Sequence, residues 1–361
     1  MNKTYKILVI VQRSNGDVFY SNNLIYSLKK HFQNSQIDLL INEDTYSIAK
    51  LIPNVSKIIK FSYYEYKENK FKHLYKIFNE IYKKYDYSFS LTASDRSILF
   101  AIISSKKSLG IVEKDLKKSW WKKWLLNYSF EFSRYRNILD DNYIPLDILN
   151  IPYVKKIEPI NLKHPLEKKL KIFKRLNLKE ITSKNFIIFH PCAQYSYKVY
   201  PEKYRVKLLN LLIELDIPIV VTGSNSEIDQ EISKTIPTGK NIFNLIGKTK
   251  LEDYIFLSSL SSCYIGMDTL NMHISASFNK QIFAIFGPTL LEKWSPWSRD
   301  LGLSLNTQPV NYDNIRIFQA SKSCVPCGYA GCDDKHGESL CLNEISPLEI
   351  FREVKSWSRN L

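Results

Sequence analysis

The sequence predicts an α/β protein made of two Rossmann-like domains, with parallel sheets facing across a cleft. Three observations carry that prediction. Short apolar runs of strand length alternate with helically spaced stretches in both halves of the chain. The alternation loosens between Ile151 and Lys184, where Pro152, Pro159 and Pro165 fall among charged residues. At 361 residues with 44% hydrophobic content, the chain has enough apolar material for two separate cores.

Taken in order, Lys6 to Gln12 reads as the first strand, Val18 to Phe32 as a helix and Gln36 to Ile41 as the next strand. The Lys/Tyr-rich stretch from Tyr63 to Tyr87 reads as a solvated helix and loop. A further unit ends near Gly110, and a basic, aromatic segment from Lys114 to Arg136 follows it. After the proline-marked linker the pattern restarts. Strands are expected at Phe186 to His190, Ile217 to Thr222, Asn241 to Leu245, Cys263 to Met267 and Gln281 to Phe286. Helices are expected at Pro201 to Leu215, Ser226 to Ile232 and Leu251 to Leu260, and a last one at Pro347 to Trp357. This gives a first domain of 1–165, a second of 166–346 with a cysteine-rich loop at 324–341, and a terminal helix within 347–361.

The formal charge of +15 implies an anionic partner, whether nucleic acid, an anionic membrane surface or a phosphorylated substrate. No recognisable RNA- or DNA-binding motif is present, so nucleic acid is not the expected partner. The run Ile7 to Val11 is too short for a secretion signal, and no segment is long enough to span a membrane. Six cysteines without such a signal point to the reducing cytosol, where clustered thiols read as metal ligands or buried residues. The first βα turn, Arg13-Ser14-Asn15-Gly16-Asp17, lacks the G-x-G-x-x-G fingerprint and argues against a dinucleotide dehydrogenase.

Chemistry concentrates in a few places. The run Gly266-Met267-Asp268-Thr269-Leu270-Asn271-Met272-His273 ends a strand on an acid and a hydroxyl and then enters a helix, as sites for phosphorylated ligands do. Asp17 follows the first strand and serves either as a helix cap or as a carboxylate delivered to the cleft. Lys198 follows His190 in a strand-to-helix loop and reads as a surface lysine or a diphosphate contact. Cys324, Cys327, Cys332 and Cys341 have the spacing of a closed structural zinc or iron site. Trp120, Trp121 and Trp124 alternate with Lys117, Lys118, Lys122 and Lys123, a pattern that suits an anionic bilayer interface or a core-facing helix.

In their order, several segments resemble glycosyltransferase family 9, the heptosyltransferases of lipopolysaccharide core synthesis. They are Ser14-Asn15-Gly16-Asp17, Phe186-Ile187-Ile188-Phe189-His190-Pro191, Lys198, Val220-Val221-Thr222-Gly223, Leu245-Ile246-Gly247-Lys248-Thr249, the Asp268 run and Phe286-Gly287-Pro288-Thr289. The resemblance implies the GT-B fold and inverting, metal-independent sugar transfer. It also implies a first, acceptor-side domain and a second domain that binds the nucleotide sugar, with the terminal helix packing back on the first. By this resemblance Asp17 is the general base and Lys198 stabilises the leaving diphosphate. Gln194, Glu227, Thr249, Asp268, Thr269 and His273 bind the donor, and Arg96 binds the acceptor. ADP-heptose is the implied donor and an anionic lipid-linked core sugar the implied acceptor, which places the protein peripherally on the cytoplasmic face of the inner membrane. A related branch binds iron at a similar cysteine cluster and oligomerises, so a metal and a homo-oligomer belong to the expectation. Three positions depart from the family pattern: Tyr200 stands for Trp, and Leu270 and Cys192 stand for Gly. The departures keep two alternatives open, transfer of another nucleotide-linked sugar to a different glycan or protein, and a noncatalytic binding member.

Overall fold

A computed structural model describes residues 3–155, 158–160, 166–178, 185–298 and 310–361. The chain divides into two compact units between Ile160 and Asn161. Pro165, the expected domain boundary beside it and parts of the proline-marked linker lie outside the described residues.

The first unit contains β1 (Tyr5–Val11), α1 (Asn15–His31), β2 (Ser35–Asn42), α2 (Tyr46–Ala49), β3 (Lys57–Phe61), α3 (Tyr63–Glu68) and α4 (Lys70–Ile81). It continues with β4 (Tyr85–Ser90), α5 (Asp95–Ser104), β5 (Ser105–Val112), α6 (Leu116–Leu125), β6 (Tyr128–Glu131) and α7 (Ile138–Ile148). Its six strands pair in parallel in the order β3-β2-β1-β4-β5-β6. The order reverses between β1 and β4, and such a reversal opens a crevice at the carboxyl ends of those strands. From Ile7 to Val11, β1 is apolar and buried on both faces, as a central parallel strand must be.

The stretch expected to be a solvated helix and loop instead supplies α3, α4 and β4 to the fold. Among its lysines and tyrosines, α4 places His73, Ile77 and Ile81 one turn apart on a buried face. A second correction concerns Lys122 in the basic, aromatic segment. Its side chain is wholly buried and its ammonium meets Asp95 at 2.7 Å, Glu113 at 2.8 Å and the Ala93 carbonyl at 2.6 Å. A lysine so placed is a structural crosslink of α6 and cannot face a bilayer. Trp121 packs beside Ile98, Val112 and Leu126, whereas Trp120 and Trp124 remain exposed.

The second unit contains α8 (Leu166–Arg175), β7 (Ile187–His190), α9 (Glu202–Ile213), β8 (Ile219–Val221), α10 (Glu227–Lys234), β9 (Ile242–Asn244), α11 (Leu251–Leu260) and β10 (Cys263–Met267). It continues with α12 (Leu270–Ser277), β11 (Gln281–Phe286), α13 (Leu291–Trp294), β12 (Val310–Tyr312), β13 (Ile315–Gln319) and α14 (Pro347–Ser358). The sheet order is β12-β13-β11-β10-β7-β8-β9, parallel except for the β12–β13 hairpin at its edge. Here the order reverses between β7 and β10. At this seam Gly266 approaches so closely that a Cβ on it would stand 2.2 Å from the His190 carbonyl oxygen. Only glycine lets the two strands meet there.

The terminal helix, α14, commits its apolar face to the second unit. Ile350, Phe351 and Val354 join Leu208, Leu209 and Leu212 of α9 in one core, and Trp357 packs edge-on against Phe283. Their helical spacing gives one continuous stripe, and α9 offers a matching one.

Candidate active site

At the crevice of the first sheet, the chain leaves β1 through Gln12 and turns into α1. The Asp17 carboxylate spans that turn. Its Oδ2 accepts from the Ser14 backbone N–H at 3.2 Å and from the Ser14 hydroxyl at 2.7 Å, which closes the helix start. Its Oδ1 is buried without a hydrogen bond and lies 3.5 Å from Arg13 Nε. Both readings of Asp17 therefore find a physical basis, since one oxygen caps and the other is left with unused acceptor capacity.

Arg96 sits at the same strand ends, on the first turn of α5. Its guanidinium stacks 3.8 Å from the Phe61 ring centroid, donates to Tyr63 Oη at 2.9 Å and lies 3.4 Å from Gln12 Oε1. No carboxylate pairs with it among the described residues, so its charge is available to an anion. Gln12 was missed by sequence reasoning. It ties β1 to α5 through Ser97 at 2.8 Å and to Thr92 at 2.9 Å, and nothing in its local pattern marks it.

At the crevice of the second sheet, Lys198 and Asp268 come together. Lys198 ends a short 3₁₀ turn after β7 and Asp268 directly follows β10, and the ammonium meets the two carboxylate oxygens at 2.9 and 3.2 Å. Thr269 follows as the cap residue of α12. Its Oγ1 is buried with no hydrogen bond of normal geometry, the nearby Tyr264 hydroxyl being committed to the Met267 carbonyl at 2.6 Å. The first backbone N–H groups of this helix suit an anionic group at its start.

Two histidines lie behind the pair. Burial, and then the Lys198 cation, push the pKa of His273 down to about 3, so its imidazole is neutral near pH 7. It is 4% exposed and cannot act as a phosphate-binding cation, which narrows its expected donor role to that of an uncharged group. His190, another residue the site reading missed, is also held neutral by burial, its pKa lowered to about 4. Its Nδ1 lies 2.9 Å from Thr222 Oγ1, and Asn271 Nδ2 lies 3.2 and 3.3 Å from its two ring nitrogens. Its position as the last residue of a buried strand was the available signal.

The remaining donor-side candidates lie along the same sheet edge. Glu227 opens α10 after β8, Thr249 precedes α11 after β9, and Gln194 is exposed in the loop after β7. Among the donor-side candidates, Lys198 and Asp268 meet side chain to side chain, and the His273 N–H donates to the Thr269 carbonyl at 3.4 Å. The two departures from the family's glycines differ in exposure. Cys192 is 1% exposed, with its sulfur over Gly223, and Leu270 is half-buried in the first turn of α12.

The four clustered cysteines line one small cavity of about 140 Å³, with Cys341 buried and Cys324 and Cys332 exposed. Burial, with Cys332 and Cys327 nearby, pushes the Cys341 thiol up to about 11. Among the described residues, no group of three or more His, Cys, Asp or Glu side chains is arranged to hold a metal ion. The spacing predicted a ligand set, and the fold brings the thiols to one cavity without forming that set.

Comparison with known proteins adds a family and a fold. The model of glycosyltransferase family 9 (heptosyltransferase) matches residues 76–316. Lipooligosaccharide heptosyltransferase 2 of Campylobacter jejuni is 25% identical over 98% of this chain and 99% of its own length. The ADP-heptose lipopolysaccharide heptosyltransferase II of E. coli superposes with a TM-score of 0.70 at 19% identity, covering 98% of this chain and 99% of that one. An iron-containing dodecameric glycosyltransferase of enterotoxigenic E. coli superposes with a TM-score of 0.56 at 10% identity, covering 99% and 76%. The fold is thus that of the GT-B glycosyltransferases.

The neutral histidines generate a stability prediction. The folded pKa of His190 lies below the ordinary value of 6.5, so the unfolded chain binds the proton more readily. The stability is present above pH 6.5 and is lost as the pH falls towards 4. The loss should reach on the order of 2 kcal/mol by pH 4.5. Denaturant titrations from pH 7 to 4.5 should show a shallower decline in His190→Gln than in the parent, and parallel declines would refute the assignment.

Proposed function

The chain belongs to glycosyltransferase family 9 and is a glycosyltransferase, and within that family we propose that it transfers heptose from ADP-heptose to an anionic, lipid-linked lipopolysaccharide core sugar with inversion. The observation that carries the reading is the Lys198–Asp268 pair at the strand-order reversal of the second sheet, beside a helix start with an unengaged threonine hydroxyl. The names of the relatives from C. jejuni and E. coli supply the donor and the acceptor class.

In this mechanism Lys198 contacts the donor diphosphate and offsets the charge that develops on it as the glycosidic bond breaks. Asp268, released from the lysine, accepts from sugar hydroxyls, while Thr269 and the first backbone N–H groups of α12 hold phosphate oxygens. Gln194, Glu227 and Thr249 extend the donor site along the sheet edge, and His273 supports it as a neutral group. The acceptor is held by the first unit, with Arg96 on its phosphate or carboxylate. Asp17 Oδ1 takes the proton of the attacking hydroxyl.

Asp17→Asn should abolish transfer and leave ADP affinity near the parental value. Asparagine also caps well, so helix stability is preserved and the loss reports the base, about 10²- to 10⁴-fold in rate. Lys198→Ala should lower both donor affinity and turnover. Steady-state transfer assays with ADP-heptose decide the matter, and an Asp17→Asn enzyme as fast as the parent would reduce Asp17 to a cap.

The reading also places the protein peripherally on the inner membrane, through α6. Leu116, Trp120 and Trp124 form an exposed apolar stripe, and Lys117 and Lys118 are exposed beside it. Among the described residues no helix is long and apolar enough to cross a membrane. Changing Trp120 and Trp124 to Ser should weaken binding to anionic vesicles, and changing Lys117 and Lys118 to Gln should cost about 1 kcal/mol per lysine and reduce the salt dependence. Lys122 is excluded from that set because it is buried. Co-sedimentation equal to the parent's at low salt for both double variants would remove α6 from the surface.

Finally, we propose that Cys324, Cys327, Cys332 and Cys341 take up a structural zinc or iron ion. Their shared cavity and the iron content of the dodecameric relative support this reading. Such an ion would crosslink the loop and add its binding energy to folding. Elemental analysis of protein purified without chelators should give about one metal per chain, lost in Cys324→Ser with Cys327→Ser. Metal-free protein with four free thiols sinks the proposal, and size-exclusion chromatography of the same samples reports whether metal loading assembles copies.

A further inference from the structure

Lys198 is carried by a turn that has little core of its own. Upstream, Cys192 and Ala193 are buried. Downstream, Tyr200 is buried, its hydroxyl donates to the Ile345 carbonyl, and its own carbonyl accepts from Arg205 at 2.9 Å. Between those anchors lie Gln194, Tyr195 and Ser196, all exposed, and the half-buried Tyr197. This middle portion is held from outside by His336, a residue of the cysteine-rich loop. The His336 ring stacks on Tyr195 at 5.4 Å and lies 5.5 Å from Tyr197, and the two tyrosines stack on each other at 5.5 Å. Ser196 Oγ also lies 3.5 Å from the His336 carbonyl oxygen.

The loop is constructed to present that ring. His336 has a φ of 69°, a left-handed conformation that costs energy for a residue with a Cβ. It is fixed by its N–H donating to the Ala330 carbonyl at 2.7 Å, and by Asp333 accepting from the N–H groups of Lys335 at 2.9 Å and Gly337 at 3.0 Å. At its base, Gly328 N–H donates to the Pro288 carbonyl at 2.7 Å, just after β11. Because β10 lies between β11 and β7 in the sheet, the loop runs from one neighbour of β10 to the loop after the other. It therefore bridges over the strand end that carries Asp268.

We propose that His336 is a positioning residue for Lys198: by packing on Tyr195 and Tyr197, it holds the turn in which the lysine can exchange Asp268 for the donor diphosphate. This rests on the reading of Lys198 as the diphosphate contact. The consequence is that the thiol-bearing loop, remote from the chemistry in sequence, acts on donor binding through three stacked rings.

The test measures ADP affinity by isothermal titration calorimetry on the full-length protein, together with melting temperature. His336→Asn removes the ring and keeps a residue that tolerates left-handed φ, and His336→Phe restores the ring. Loss of two aromatic contacts from one turn should weaken ADP binding about tenfold in His336→Asn, raise the KM for the donor more than it lowers kcat, and leave the melting temperature unchanged. His336→Phe should return ADP affinity to within about twofold of the parent. Parental affinity in His336→Asn alongside weakened binding in Lys198→Ala overturns the role of His336 alone. So does joint loss of affinity and melting temperature that Phe fails to restore. If Lys198→Ala itself binds ADP like the parent, the diphosphate reading falls, and this inference with it.

Discussion

The arrangement of the second unit depends on an ion pair at its sheet edge. Asp268 is nearly inaccessible, with a side chain 4% exposed, and a carboxylate in that position is costly unless a cation stands against it. Lys198, with a side chain 26% exposed, supplies the cation from a neighbouring loop. This fixes where β10 must end, how the chain after β7 must turn, and why that turn needs external support. On the proposed reading, the lysine exchanges one set of oxygens for another, so that much of the desolvation of its charge is met within the folded chain.

Behind that pair two histidines are kept uncharged near pH 7. His190 and His273 are both buried, and the lysine itself disfavours protonation of His273. Neither imidazole therefore adds a pH-dependent charge beside the lysine near neutrality. In the first unit a similar economy holds. Asp17 uses one oxygen to close a helix and keeps the other out of any hydrogen bond, and Arg96 has its flat face covered by Phe61 and no carboxylate partner among the described residues.

The alternation of strands and helices was legible because parallel strands are apolar throughout and the intervening helices are amphipathic. It failed where side chains with long polar tips supplied the buried face, as in α4, whose tyrosines and lysines surround a narrow stripe of His73, Ile77 and Ile81. Lys122 was misread for the same reason. Spacing reports which face a residue is on, and a lysine on the inner face becomes visible only when its two carboxylates are seen to converge from Asp95 and Glu113. In the site, Lys198 and Asp268 could each be picked out from local motifs, but their contact spans 70 residues. His190 was marked only by its place at the end of a buried strand, and Gln12 and His336 had no signature, because what they do depends on partners brought by other strands and loops.

The packing of α14 bears on how the molecule is made. Tyr200, at the head of α9, bonds to the carbonyl of Ile345, 145 residues later, and the core beneath α9 is closed by Ile350, Phe351 and Val354. The first unit is contiguous in sequence and has all its strands once β6 is synthesised, so it can fold while the ribosome is still translating the rest. The second unit has no such early completion. Helix α9 keeps an uncovered apolar stripe until the segment through Ser358 has emerged, which makes the interval between α9 and α14 the vulnerable period of its biogenesis, when chaperone occupancy or premature stops would matter most.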